Sequence, residues 1–255
     1  MPQRYFIKLA FDGSLYHGWQ QQQNAPSIEH KINETLNTIL RQDVKITGCG
    51  RTDTGVHAKE FYAHFDTEYL IEDEEMVLYK LNSLLPNDIV INKLFKVKPV
   101  THARFSATKR TYQYFINSKH SPFDKNYEYF FNRNLDIELM NEACSLLKGN
   151  KDFSCFSKTH TQVNNYLCTI HEAHWETQDG RHVFTITANR FLRNMVRAIV
   201  GTMLDVGLHK IDLNEFKNII EKGSRSDAGM SVPAQGLFLT KVEYPEDIFC
   251  DNNLL

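Results

Sequence analysis

The chain has 255 residues, of which 42% are hydrophobic and 24% charged, so it can bury a sizeable core and lacks the composition of a disordered protein. Its 29 Lys and Arg against 31 Asp and Glu give a formal net charge of −2, which argues against a generic nucleic-acid binder. The apolar run near the N-terminus is broken by Arg4 and Lys8 and is typical of neither a signal peptide nor a membrane span, so we expect a cytoplasmic protein.

Alternating and helical patterns predict the order βαββαβ for the first hundred residues. Alternating apolar residues predict a first strand that ends near Phe11, and Ser27 is a good N-cap for an amphipathic helix. The other elements predicted here are a strand with Val44 and Ile46, a strand with Phe61, Ala63 and Phe65, a helix that stops at Pro86 and a strand over 88–97.

A polar, proline-containing segment over 96–110 predicts a domain boundary, which divides the chain into 1–104 and 105–255. The second domain is predicted to contain strands over 110–117, 166–176, 182–189 and 236–244 and helices that follow Asp136, span 190–206 and run from Asp212 to Gly223. Because both halves mix strands and helices in a similar order, we predict an α+β fold of two related units.

The predicted helix over 190–206 carries basic residues on one side. At about 100° per residue, Arg190, Arg193 and Arg197 fall within roughly 60° of each other, opposite an apolar face. A solvated helix surface is one interpretation. Three like charges without an acid repel each other, however, and this favours a polyanion or a buried carboxylate as their partner.

A second basic group lies near the boundary, where Arg104, Lys109 and Arg110 are interleaved with Tyr112 and Tyr114. Basic residues between aromatic ones suit phosphates and stacked bases. The two tyrosines are equally well interpreted as one face of a strand.

The stretch "GCGRTDTGVHA" over 48–58 has few apolar residues, which predicts a loop whose purpose is not packing. It places Asp53 between Arg51 and His57. This carboxylate could act as a nucleophile, a general base or the partner of a developing cation. It could also be a turn residue, which is the usual role of an aspartate in a glycine-rich loop.

Other catalytic patterns are absent from the sequence. A metal site of Asp53, His57 and His64 would lack a second loop carboxylate and regular ligand spacing. There is no G-x-S-x-G elbow, P-loop or dinucleotide fingerprint, so we expect neither a metal nor a cofactor. The five cysteines are odd in number and widely spaced, which predicts free thiols.

Five segments together resemble the signature of one family. They are "FDGSLYHGWQQQ" at 11–22, "GRTDTGVHA" at 50–58, "HARFSATKRTYQY" at 102–114, "NRFLRNMVRAIVG" at 189–201 and "VPAQGLFLTKVEY" at 232–244. In order and spacing they resemble the tRNA pseudouridine synthase A (TruA) family. The resemblance spans nearly the whole chain.

The resemblance implies an isomerase that converts uridine to pseudouridine in the anticodon stem-loop of tRNA, at positions 38, 39 and 40 of that RNA. It implies that Asp53 is the catalytic aspartate, that Tyr112 stacks on the target uracil, that Arg193 pairs with the aspartate and that Arg51 accompanies base flipping. Arg110, Arg190 and Arg197 are expected to bind the substrate. The implied enzyme is a homodimer without a cofactor.

The implied fold consists of two α+β halves that share a continuous, mainly antiparallel sheet, with helices on one side and the active cleft between the halves. Position 49 is Cys where the family often has Ala, Thr54 replaces a usual Ala, and Phe61 stands where Gln is expected. His57 is expected to support the loop. Two other functions remain open from the residues alone: a catalytically inert RNA-binding protein and a metal-dependent nuclease.

Overall fold

A computed structural model describes residues 2–158 and 165–248 of the chain. Within them, helices and a large multi-stranded sheet confirm the predicted α+β class. The chain divides into two compact units. Unit 1 contains the described residues up to Thr108 together with those from Leu239 onward, and unit 2 is Lys109–Phe238.

Unit 1 has the predicted order βαββαβ. Its elements are β1 (Gln3–Phe11), α1 (Ile28–Leu40), β2 (Thr47–Gly48), β3 (His57–Thr67), α2 (Glu74–Leu84) and β4 (Ile89–Val97). Strand β1 lies between β3 and β4 and is antiparallel to both, with Tyr5 opposite Phe65 on one side and Lys96 on the other. The core of the unit lies against this central strand.

Both faces of β1 are buried over part of its length, which simple alternation does not predict. Tyr5, Phe6 and Ile7 are all fully buried. The Phe6 ring is covered by Phe95, whose centroid lies 6.0 Å away, and by Tyr244 at 5.5 Å. The residues after β10 therefore complete the core of unit 1.

Helix α1 begins as predicted, since the Ser27 side chain accepts a hydrogen bond from the backbone of His30. The strand predicted with Val44 and Ile46 is shorter than expected, because within this stretch only β2, at Thr47–Gly48, pairs with β3. The backbone N–H groups of Val44 and Ile46 instead donate to the side chains of Asn37 and Asn33, at 2.9 and 2.8 Å. Side chains of α1 thus take the place of a neighbouring strand.

Unit 2 begins at β5. Its elements are β5 (Lys109–Asn117), β6 (Tyr129–Phe130), α3 (Ile137–Leu147), β7 (Gly149–Asp152), β8 (Leu167–Gln178), β9 (Arg181–Ala188), α4 (Met195–Gly207) and α5 (Leu213–Lys222), followed by the start of β10 (Leu237–Glu243). Strand β9 lies between β5 and β8 and is antiparallel to both. The Asn141 side chain of α3 hydrogen-bonds both backbone groups of Trp175 on β8, and this ties helix to sheet.

Helix α4 is shorter than predicted, because it begins at Met195 rather than at residue 190. Asn194 has a left-handed backbone with φ of 66°, which a right-handed helix cannot contain. Arg190 and Arg193 therefore precede the helix. The predicted start of α5 is confirmed by a capping box between Asp212 and Glu215.

The end of β10 belongs to unit 1. The Val242 N–H donates to Glu60 Oε1 at 2.9 Å, and the Tyr244 hydroxyl donates to the Ala103 carbonyl at 2.6 Å. The unit boundary therefore falls after Thr108 and the chain returns to unit 1 at Leu239, whereas the division at 104/105 places all of 105–255 in one domain. As a division into functional domains, 1–104 and 105–255 stays a prediction.

Four cysteines, at positions 49, 144, 155 and 168, are buried and form no disulfide, and Cys250 lies outside the described residues. Burial raises the pKa of the Cys168 thiol to about 11. No helix in the described ranges has the length and apolar character needed to cross a membrane.

Candidate functional site

The loop that carries Asp53, residues 49–56, joins β2 to β3 in unit 1. Its first residue is fixed by the Cys49 N–H, which donates to the Tyr62 carbonyl at 2.7 Å. Its far end is a turn in which the Val56 N–H donates to the Asp53 carbonyl at 3.2 Å, and Gly55 supplies the positive φ of 76°. The backbone on both sides of Asp53 is thus held by hydrogen bonds.

The prediction that this loop does not pack is wrong. Cys49 and Val56 are almost completely buried. The loop packs backbone to backbone against the segment 11–22, where a Cβ at Gly13 would come within 2.0 Å of the Val56 carbonyl oxygen and one at Gly18 within 2.2 Å of the Thr52 carbonyl oxygen. Close backbone contacts at glycines involve no apolar side chains, so a hydrophobic pattern in the sequence does not reveal this packing.

His57 is buried beneath the loop, with 1% of its surface exposed. The Gly13 N–H donates to its Nδ1 at 3.1 Å, and Asp12 Oδ1 lies 3.0 Å from the same nitrogen. His57 therefore joins the loop to the segment 11–22. This position supports the interpretation of His57 as scaffolding.

Aromatic rings fill the space under the loop. Phe61 stacks on Trp19 with centroids 4.2 Å apart, and both rings contact Phe11. A Cβ at Gly48 would come within 2.5 Å of the Trp19 ring. Phe61, one of the departures from the family pattern, is therefore a core residue that supports the start of the loop.

Asp53 itself is half-buried, and its neighbours Arg51 and Thr54 are exposed. The Arg51 Nε donates to Gln20 Oε1 at 3.0 Å, and Gln20 Nε2 donates in turn to Glu29 Oε2 at 2.5 Å. Gln20 and Glu29 were not found from the sequence. A glutamate in the first turn of a helix is ordinarily interpreted as a partner of the helix dipole.

The Glu29 carboxylate is buried at the start of α1, with 8% of its surface exposed. Its Oε2 also accepts a hydrogen bond from the Gln21 N–H at 2.6 Å. Burial raises the pKa of Glu29, and this is opposed by the Gln21 N–H, the Arg51 charge and the hydrogen bonds of Trp19 and Gln20. The polar neighbours therefore compensate part of the cost of burying this carboxylate.

In unit 2, Tyr112 and Arg110 lie on β5, and Tyr112 is half-buried. Its ring makes an edge contact with Phe191, with centroids 5.1 Å apart. Arg110 donates to the Asn189 carbonyl at 2.8 Å. Tyr114, which shares the strand face with Tyr112, is fully buried, and its hydroxyl donates to the Pro233 carbonyl at 2.7 Å. Only Tyr112 of the two is partly accessible.

The three arginines predicted to form one helical face do not do so. Arg190 is half-buried and Arg193 exposed, and both precede α4. Arg197 lies on α4, where its Nε donates to the Val232 carbonyl at 2.7 Å and its own carbonyl accepts from the Val232 N–H at 3.2 Å. Arg197 thus also fastens the segment before β10 to the helix.

Over residues 2–158 and 165–248, no group of three or more His, Cys, Asp or Glu side chains is arranged to hold a metal ion.

Comparisons with known proteins give one consistent result. A family model described as tRNA pseudouridine synthase matches residues 143–245. The tRNA pseudouridine synthase A of Bacteroides fragilis is 51% identical over 248 residues, which cover 97% of this chain and 98% of that protein. The protein of the same name from Clostridium acetobutylicum is 38% identical over 240 residues, which cover 93% and 98% of the two chains.

Among solved structures, a chain from a Cbf5-Nop10-Gar1 complex matches 92% of this chain and 57% of its own length, with 13% identity and a TM-score of 0.36. This likeness is too low to add to the result. The similarity to tRNA pseudouridine synthase A proteins extends over both structural units.

Proposed function

Since the chain belongs to the tRNA pseudouridine synthase A family, we propose that Asp53 is the residue through which it converts uridine to pseudouridine in the anticodon stem-loop of tRNA. Family membership makes the chain a tRNA pseudouridine synthase, an isomerase. The site residues and the modified region of the tRNA are our proposal.

One observation carries the choice of Asp53: it is a half-buried carboxylate on a loop whose backbone is fixed on both sides by buried residues and close glycine contacts. A catalytic group works best on a support of this kind, because small displacements of the reacting atoms are costly. Arg51 lies two residues away and is exposed.

The chemistry needs such a group. The bond between uracil N1 and ribose C1′ breaks, the base turns, a bond forms between C5 and C1′, and the hydrogen of C5 is lost while N1 gains one. No electrons are gained or lost overall. A carboxylate can attack C1′ or remove the proton from C2′, and either route passes through a sugar with cationic character that a negative charge stabilises.

The RNA contacts are assigned by the family resemblance and supported by accessibility. Tyr112 is proposed to stack on the target uracil, and its contact with Phe191 fixes the ring. Arg193 keeps its proposed role as the cationic partner of the aspartate, and Arg51 that of holding the flipped nucleotide. Arg110, Arg190 and Arg197 are proposed to bind the substrate RNA.

We further propose a homodimer in the cytoplasm. The dimer is supported by the family resemblance, and the location by the substrate, because tRNA is modified in the cytoplasm of bacteria such as those that carry the similar proteins. Light scattering of the purified chain tests the dimer, and a monomer at micromolar concentration would contradict it.

The substitution Asp53→Asn tests the proposal. It keeps the size of the side chain and removes the carboxylate, so we expect at least about a 1,000-fold loss of pseudouridine formation with little change in tRNA affinity. Release of tritium from C5-labelled uridine in a tRNA transcript measures turnover, and filter binding measures affinity.

Asp43→Asn is the matched control, because Asp43 is exposed in the connection after α1. Its turnover should equal that of the wild type. Full turnover of Asp53→Asn would show that another residue carries the reaction. Mapping the modified uridines would test the assignment to the anticodon stem-loop.

A further inference from the structure

The buried carboxylate of Glu29 lies two hydrogen bonds away from the guanidinium of Arg51. The first bond joins Glu29 Oε2 to Gln20 Nε2 at 2.5 Å, and the second joins Gln20 Oε1 to Arg51 Nε at 3.0 Å. All three residues belong to unit 1, and they come from three separate parts of the sequence.

The Gln20 amide can be used in two orientations, since its oxygen accepts and its nitrogen donates. Only one orientation offers an acceptor to Arg51. The acceptor Glu29 Oε2 selects that orientation, because it can receive a hydrogen bond from the amide nitrogen but cannot donate one to the amide oxygen. A carboxylate at this position therefore determines which atom faces Arg51.

Glu29 itself is held in place. It lies in the first turn of α1, whose start is capped by Ser27, and its Oε2 also accepts from the Gln21 N–H at 2.6 Å. The cost of burying this charge needs compensation, and the hydrogen bonds from Gln20 and Gln21 together with the nearby positive charge of Arg51 provide it. Arg51, in contrast, is exposed.

We propose that Glu29 is a positioning residue for Arg51: through the Gln20 amide it fixes the direction in which the guanidinium is presented to the RNA. The inference rests on the proposed function, in which Arg51 holds the flipped nucleotide. Holding the arginine in one direction lowers the entropy that it loses when it engages the flipped nucleotide, a step that follows tRNA binding and therefore affects kcat rather than affinity.

The test is a double-mutant cycle between Glu29→Leu and Arg51→Ala, measured on a tRNA transcript. Leucine removes the acceptor at similar size, so we expect E29L to lower kcat by about 10-fold while tRNA affinity changes by less than about twofold. In the R51A background, E29L should lower kcat by no more than about twofold further, because its effect passes through Arg51.

Two further variants separate positioning from support of the fold. Glu29→Gln keeps an acceptor oxygen, and the Gln21 N–H, which donates to this position, holds the oxygen rather than the amide nitrogen towards Gln20. E29Q should therefore recover most of the rate lost in E29L. Glu34→Leu is the matched control on an exposed acid of the same helix, and it should keep the wild-type rate. Thermal unfolding of each variant shows the folded fraction, to which kcat is normalised.

The outcomes distinguish the role of Arg51 from that of Glu29. A wild-type rate for R51A would contradict the proposed role of Arg51 itself. If R51A is slow, the positioning role of Glu29 is overturned by an E29L that keeps the wild-type rate, by an E29L effect of undiminished size in the R51A background, or by an E29Q that is as slow as E29L.

Discussion

At the scale of single residues, the site is better understood from what supports it than from Asp53 alone. The sequence pointed to Asp53 because a carboxylate in a glycine-rich loop between Arg51 and His57 is chemically conspicuous. It could not point to Gln20 or Glu29, because their contact with Arg51 exists only when α1 and the segment 11–22 meet the loop. The close backbone contacts of Gly13 and Gly18 with the loop also leave no trace in the hydrophobic pattern of the sequence.

Gly18 illustrates how strongly the support is constrained. Its φ is +86°, and a Cβ there would come within 2.2 Å of the Thr52 carbonyl oxygen, next to Asp53. We expect Gly18→Ala to lower the free energy of unfolding by about 3 kcal/mol and to lower kcat of the remaining folded protein. Denaturant unfolding and the tritium-release assay measure the two effects.

Gly149→Ala is the control that separates backbone strain from the close approach. Gly149 has φ of +93° with open space around its Cβ position. Alanine there should cost only about 1 kcal/mol, since only the left-handed backbone is penalised. Equal losses for the two variants would show that the approach of Gly18 to the loop does not matter.

At the scale of elements, sequence patterns correctly predicted the features that neighbouring residues in the sequence determine. The starts of α1 and α5 were correct, because their caps lie next to them in the sequence. The strand predicted with Val44 and Ile46 is reduced to β2, because Asn37 and Asn33 of α1 accept the backbone N–H groups of these two residues. The predicted helix start at residue 190 is wrong, because the apolar periodicity includes Leu192 although the helical backbone begins only at Met195. Long-range bonds and left-handed residues are invisible to periodicity.

Asn194 determines where α4 begins, and two substitutions test this. Its φ is 66°, and its Nδ2 donates to Ser231 Oγ at 2.5 Å. Asn194→Gly keeps the backbone and loses the hydrogen bond, whereas Asn194→Ala also strains the backbone. We therefore expect N194A to be less stable than N194G by about 1 kcal/mol in denaturant unfolding.

Ser231→Ala removes the acceptor of the Asn194 hydrogen bond without touching the backbone of Asn194, and it also removes the hydrogen bond that Arg225 Nη2 donates to Ser231 Oγ at 2.8 Å. Its loss of stability should exceed that of N194G by the contribution of this second bond, about 1 kcal/mol. Equal stabilities of N194A and N194G would indicate that the left-handed residue does not set the helix start.

At the scale of the whole molecule, total charge was a poor guide and its distribution a better one. The net charge of −2 includes six acids between Asp66 and Glu75, whereas the segment 189–201 contains three arginines and no acid. Overall stability also depends on buried titratable groups that lie away from the proposed site. His64 on β3 is one of them, because it is 6% exposed and accepts a hydrogen bond from the Ala103 N–H at 3.2 Å.

We expect His64 to make unfolding sensitive to mild acid. Burial, followed by the charges of Arg4 and His102, lowers the pKa of His64 from 6.5 to about 4. Between pH 6.5 and pH 4, His64 is therefore protonated in the unfolded chain and neutral in the folded chain. The stability that is present above pH 6.5 is lost as the pH falls towards 4. At pH 5 the loss should amount to about 2 kcal/mol.

His64→Asn tests this, because the asparagine oxygen can accept the Ala103 N–H as Nδ1 does and does not titrate. Denaturant unfolding of both proteins at pH 7.5 and pH 5 should show a smaller decrease for H64N. An identical decrease would mean that other groups cause the acid sensitivity.

Because the end of β10 returns to unit 1, the order in which the two units can complete their folding during synthesis differs from their order in the chain. Residues 109–238 are contiguous, so unit 2 can complete itself as soon as they emerge, whereas unit 1 must wait for the residues after Leu239. During that interval the β3 edge has no β10 beside it, and the Phe6 ring lacks its cover from Tyr244. Unit 1, which carries Asp53, is thus synthesised first but completes its folding last.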